Sequence, residues 1–179
     1  MRDKIRQHFE DYLSEFVYGG LDGAVTTFAV VAGSTGANFS PSIVIILGFA
    51  NLIADGFSMS VGSYLSSKSK LDMALKKNKS SEDVSSPIIN GLSTYAAFFL
   101  AGLVPLLAYT FDYIFKLNSQ NLFLTSCVLT AFAFGGIGLL KSYVASTSKL
   151  RGVTETLILG VIAAVVAYGV GAWLQNVIS

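Results

Sequence analysis

Charge is what this sequence has least of. Only 13% of its 179 residues are Asp, Glu, Lys or Arg, about half the usual share of a soluble domain. So little charge cannot coat a water-facing globule of this length. That excludes a disordered chain or a soluble enzyme domain and leaves lipid as the main solvent. Histidine occurs once, as His8, so no site rests on several imidazoles, and Cys127 is a single cysteine without an internal disulfide partner. A net charge of +1 gives a nucleic-acid partner no electrostatic support. A glycine-rich phosphate loop, a Cys/His metal spacing and a Ser/His/Asp set are all missing. The chain is therefore expected to be no enzyme and to hold no permanently bound cofactor.

What is present is apolar length. A spanning helix needs roughly 20 mostly apolar residues, because the hydrocarbon core is about 30 Å thick and a helix rises about 1.5 Å per residue. Five segments qualify, at 16–37, 42–66, 88–110, 121–144 and 156–177, separated by short polar gaps. The fold class is therefore all-α: a polytopic membrane protein in a lipid bilayer. The ten-residue alternation of a membrane β-barrel is missing. Residues 1–15 form a separate unit. Ile5, Phe9, Tyr12, Leu13 and Phe16 lie on one stripe of a charged helix, the pattern of an interfacial amphipathic helix leading into the transmembrane domain 16–179. A cleavable signal peptide fits this segment poorly.

Basic residues set the expected topology. Arg2, Lys4 and Arg6 precede the first span. Lys68, Lys70, Lys76, Lys77 and Lys79 lie between spans two and three, and Lys141, Lys149 and Arg151 lie between four and five. Only Lys116 lies on the opposite side. The N-terminus is expected in the cytosol and the C-terminus across the membrane.

Charged groups inside spans are costly and mark function by default. They are Asp22, Asp55 and, near a helix end, Lys141. Asn51, Asp55 and Met59 recur every four residues, on one face of span two. Asp22 lies six residues into span one and Met59 six residues from the end of span two. Equal depth on neighbouring antiparallel helices would bring them together, with Asp55 about 6 Å deeper. Carboxylate charge beside a soft thioether suits a transition-metal cation better than Mg²⁺ or Ca²⁺. Each residue also has a plainer reading: Asp22 as a helix cap, Asp55 as the partner of a polar group such as Lys141 or a serine, Met59 as core, Asn51 as an interhelical hydrogen-bonding group, and Lys141 as a snorkelling cation. The small-residue pairs Gly19/Gly23, Ser58/Gly62 and Gly138/Ser142 mark close helix contacts.

The run from Gly20 through Leu21, Asp22 and Gly23 to Gly33 resembles the first transmembrane helix of the vacuolar iron transporter family. The run from Asn51 through Asp55, Ser58 and Met59 to Lys68 resembles its second. The stretch from Gly135 to Lys141, with Gly152, Glu155, Tyr168 and Gly171, is also similar. The resemblance implies five spans per subunit and a homodimer with the ion path at the subunit interface. It also implies export of Fe²⁺, often also Mn²⁺, from the cytosol in exchange for protons, across a vacuolar or bacterial inner membrane. It places Asp22 and Met59 on that path, and Asp55 within the same motif. Two departures stand out. Asn51 replaces a glutamate of some members, and residues 68–87 are too short and too basic for the glutamate- and methionine-rich extension of better-known members. The chain is thus expected to be a short member without the cytosolic metal-binding domain. Those departures motivate the alternative: a non-transporting metal-binding or scaffold membrane protein that retains the fold.

Overall fold

A computed structural model describes residues 2–77, 85–117 and 119–178, with side chains from residue 12 onward. Five helices follow one another: α1 Arg2–Gly36, α2 Pro41–Lys76, α3 Pro87–Phe115, α4 Leu122–Val144 and α5 Lys149–Ile178. All five are long and apolar enough to cross a membrane, α1 through its stretch Tyr12–Gly36. The expected all-α, five-span architecture is present, with no strand among the described residues.

Local chemistry explains the boundaries. Pro41 and Pro87 each open a helix after an extended serine, Ser40 or Ser86. The fixed φ of proline suits the first helical turn, where its missing N–H is no loss. Asn38, Lys116 and Ser146 adopt left-handed φ of 55°, 50° and 51° just after α1, α3 and α4. They let the chain turn back on the last carbonyls, as when Phe39 N–H donates to Ser34 and Thr147 N–H to Ser142.

Four helices outrun their expected spans, α3 by running to Phe115 and α5 by starting at Lys149. α1 runs unbroken from Arg2, with no turn near residue 15. The apolar stripe at Ile5 and Phe9, and the lone His8, lie outside the described side chains. α2 continues past 66 to Lys76. Hydropathy detects only the lipid-soluble part of a helix, whereas Lys and Leu extend one readily into water. Glu82 and Asp83 lie outside the described residues.

α1 packs against each of the other four helices, α3 against α1, α2 and α4, and α5 against α1 and α4. Lipid is as apolar as leucine, so helices associate here by close packing and interhelical hydrogen bonds. Glycine makes the close approach. A Cβ on Gly19 would lie 2.6 Å from the Thr94 carbonyl oxygen, and one on Gly23 would strike the Phe98 carbonyl. Gly138 meets Val153 and Thr156 of α5 in the same way. By contrast, Ser58 is exposed and a Cβ on Gly62 would meet nothing within 4 Å, so this third pair makes no close helix contact among the described residues. Val31, Leu52, Phe98 and Leu106 form the main core, and Ala24, Phe28 and Phe134 a second cluster. Hydroxyls stitch the helices. Ser60 donates to the Gly91 carbonyl at 2.9 Å, Ser126 to Pro105 at 2.6 Å and Thr156 to Phe134 at 3.0 Å.

The α1–α3 approach sets a stability prediction. Gly23→Ala forces a methyl into the Phe98 backbone and should cost about 1–3 kcal/mol, the usual penalty of overpacking. The unfolding midpoint in detergent should fall accordingly. Gly136→Ala, with open space around its Cβ, should leave that midpoint unchanged or raise it.

Candidate metal path

Two hydrogen bonds fix the register of α1 against α2. Asn51 Nδ2 donates to Thr27 Oγ1 at 3.5 Å, and Ser63 Oγ donates to Glu15 Oε2 at 3.0 Å. Thr27 and Glu15 are twelve residues apart on one helix, as are Asn51 and Ser63 on the other. Interpolation puts Asp22 level with Gly56, beside Asp55, and Met59 level with Gly19. The depth match expected between Asp22 and Met59 is therefore off by about one helical turn; Asp55 lies deeper than Met59, as expected, but level with Asp22. Depth had been counted from hydrophobic boundaries, and α2 has no boundary at 66.

Asp22 and Met59 open into different cavities. Asp22 lines a cavity of about 620 Å³ between α1 and α5, walled by Leu21, Val25, Leu159 and Val166. Met59 lines a more polar vestibule of about 440 Å³ with Glu15, Gly62, Ser63 and Thr94. Tyr18, 63% exposed, borders both. Met59 also packs against the main core cluster.

The plainer readings now divide. Asp22 sits in mid-helix, far from any helix start, so it caps nothing; its backbone carbonyl accepts from Thr26 at 2.8 Å. Lys141 does not reach Asp55. Its ammonium pairs with Glu155 at 2.8 Å, and Glu155 also takes Arg151 Nε at 2.9 Å. Among the described residues, neither the Asp22 nor the Asp55 carboxylate has a hydrogen-bond or ion-pair partner. Asn51 does make an interhelical contact, at the outer limit of hydrogen-bond length. Among the described residues no three His, Cys, Asp or Glu side chains gather tightly enough within the subunit to hold a metal.

Glu15 is the site residue that the hydropathy reading passed over. It was grouped with the amphipathic segment because it precedes the apolar run. Its spacing carried the signal: it lies seven residues, two turns, before Asp22 on the same face of α1. Its carboxylate accepts from Ser63 of α2 and, at 3.2 Å, from Thr94 of α3.

The fold and these side chains define a multi-pass helical membrane protein with an acidic seam between its first two helices. The chain belongs to the VIT family, whose sequence model matches residues 13–83 and 71–172. It is similar to the vacuolar iron transporter of Toxoplasma gondii, 26% identical over 94% of this chain and 76% of that protein. It is 25% identical to vacuolar iron transporter 1 of Arabidopsis thaliana over 95% of this chain and 90% of that protein. The vacuolar iron transporter of Plasmodium berghei is 40% identical over 83 residues, 45% of this chain and 30% of that protein. The Toxoplasma alignment runs over 229 positions against a chain of 179 residues, so that relative carries at least 50 residues (229 minus 179) without a counterpart here. The two stretches of the family match overlap at residues 71–83, around the end of α2.

Two carboxylates inside the spans, without partners among the described residues, work against folding. Asp55→Asn should raise stability by about 1 kcal/mol, the scale of one unsatisfied polar group, and the unfolding midpoint by about 2–4 °C. Thermal unfolding in detergent checks this.

Proposed function

We propose that the protein is a proton-coupled transporter that exports Fe²⁺ and/or Mn²⁺ from the cytosol. In this reading it works as a homodimer, with the ion path between the α1–α2 faces of two copies. The observation that carries it is the pair Asp22 and Asp55, level with one another inside the spans and without partners among the described residues. Intramembrane charge of this kind is kept where an ion passes. The carboxylates neutralise a divalent cation on its way through, and hold protons when it has left. Met59, one turn from Asp55, adds a soft donor that favours transition metals. Asn51 contributes a neutral oxygen and leaves the aspartates as the charged pair at this level.

Family membership and the names of the relatives support metal-ion transport as the class of activity. They also favour a vacuolar-type membrane over a bacterial inner membrane. The lysine-bearing end, with Lys68, Lys70, Lys76 and Lys77 beyond the α2 span, faces the cytosol in this reading. The outward face of α2 supports the second copy. Ser58 and Gly62 are exposed there among Ile53, Phe57 and Val61, the small-among-large pattern that lets two helices cross closely. A two-fold axis on that face doubles Asp22, Asp55 and Met59 into a ligand set that one subunit lacks.

Flux of Fe²⁺ and Mn²⁺ into proteoliposomes, with and without an imposed pH gradient, tests the function. Flux that follows the gradient and is lost in Asp22→Ala and strongly reduced in Met59→Ala is expected. No flux from folded, inserted wild type would instead favour the metal-binding or scaffold alternative. For the dimer, Ser58→Cys in a Cys127→Ala background should cross-link two copies in membranes. Tyr143→Cys, exposed on α4, should not.

A further inference from the structure

α5 changes neighbours along its length. In its second half it closes on α1, where a Cβ on Gly36 would strike the Tyr168 carbonyl and one on Gly171 the Gly33 carbonyl. Near its start it closes instead on α4, where a Cβ on Gly152 would lie 2.6 Å from the Gly138 carbonyl oxygen. Toward the lysine-bearing end α5 therefore leans away from α1, and the wedge so opened is the cavity of about 620 Å³. Leu21 and Val25 wall it on α1, and Leu159, Ile162 and Val166 on α5; apart from Tyr18 and Asp22 its lining is apolar. The three α5 residues are exposed, so the wedge opens on the outside of the bundle, toward hydrocarbon. Its volume lies within the range of about 300–1,000 Å³ usual for ligand pockets. An apolar slot of that size facing lipid fits an alkyl chain.

The mouth of the wedge is basic. α5 opens with Lys149 and Arg151 and has no acidic residue in its first turn, the reverse of what a helix dipole favours. Both side chains are exposed. Arg151 meets Glu155 through Nε at 2.9 Å, and Lys141 pairs with the same carboxylate at 2.8 Å. The contact through Nε steadies the guanidinium and leaves its two terminal nitrogens free among the described residues, the fork that matches two phosphate oxygens. Lys149 pairs with no acid among the described residues. Ile162 follows Arg151 by 11 residues on nearly the same face of α5, about 16 Å along the helix. A chain descending from a phosphate at Arg151 therefore runs into the wedge.

We propose that the wedge between α1 and α5 holds an acyl chain of an anionic phospholipid whose phosphate is bound by Arg151 and Lys149. Basic pockets between transmembrane helices on the cytosolic side bind such headgroups; here charge selects the headgroup and the wedge seats the chain. The site goes beyond the transport reading and stands whether or not the protein moves metal. A second copy seated on this face is the competing occupant, and it would keep lipid away from Ile162. The face proposed for the dimer, at Ser58 and Gly62, is on another helix.

The test uses the full chain in bilayers, with fluorescence quenching by lipids brominated on the acyl chain. Trp173 is the one native tryptophan, so Trp173→Phe provides a silent background. Ile162→Trp then reports from the wedge, and Val166→Trp is a second reporter should the first fill the slot. Phe132→Trp, exposed on α4, reports from ordinary lipid contact. Brominated phosphatidylglycerol and brominated phosphatidylcholine are compared at equal mole fraction. The wedge reporters should favour phosphatidylglycerol by fivefold or more, about a factor of five for each basic residue, and Phe132→Trp should show no preference. Adding Lys149→Gln and Arg151→Gln should abolish the preference while quenching by phosphatidylcholine persists, which shows the protein still folded and inserted. Equal quenching by both lipids at the wedge overturns the site, as does a preference that survives the double glutamine variant. A preference of the same size at Phe132→Trp reduces the effect to general surface charge and also overturns it. Wedge reporters that neither lipid quenches would give the face to a second copy.

Discussion

The rest of the bundle depends on how closely the backbones of α1 and α3 approach at Gly19 and Gly23. Water is not present to drive these helices together, so the attraction is dispersion at short range plus a few hydrogen bonds. Dispersion falls steeply when a gap opens, and a methyl at either glycine would open one. The same contact sets the height of α1 against α3, and through Ser60 and Gly91 the height of α2. Every polar side chain of the seam between α1 and α2 inherits its level from that arrangement.

The seam is ordered by chemistry along its length. At one end Glu15 accepts from Ser63 and shares the Thr94 hydroxyl with the Asn90 carbonyl; in the middle Asp22 and Asp55 stand without partners among the described residues; at the far end Asn51 touches Thr27. Elsewhere many polar groups are satisfied: Lys141 has Glu155, and the hydroxyls of Thr35, Thr130 and Thr156 turn back to carbonyls of their own helices, though buried Asn90 Oδ1 and Thr110 Oγ1 have no partner among the described residues. The contrast is informative, because a bundle able to satisfy so many groups leaves both carboxylates inside its spans bare among the described residues. Burial of Thr27, Thr94, Thr130 and Thr156 costs little because each hydroxyl has an acceptor or donor at hand.

Much of this architecture was legible in the sequence. The five apolar runs correspond to the five helices, and Pro41 and Pro87 marked two starts within one residue. The α4 bounds, 121–144 expected against Leu122–Val144, agree because that helix is apolar almost throughout. The α2 extension to Lys76 and the continuity of α1 were not legible, because helix in water and helix in lipid share a backbone but not a composition. The face carrying Asn51, Asp55 and Met59 follows from periodicity alone. Their register against α1 does not, since it is set by contacts between helices that no single-helix pattern contains. Glu15 was concealed by the same habit of treating the edge of hydrophobicity as the edge of the site.

One feature of α2 bears on kinetics. Past the vestibule the helix continues with Lys68, Lys70, Lys76 and Lys77, all exposed, against a single acidic residue in that stretch, Asp72. A divalent cation near this end of α2 meets a positive fringe and feels twice the repulsion of a monovalent one. At physiological ionic strength the field of such a fringe decays over about 8 Å. Added electrolyte shortens that reach, and anionic lipid headgroups neutralise it locally. The approach of any divalent cation to this end of α2 is therefore eased by salt, the reverse of a helix end ringed with acidic residues.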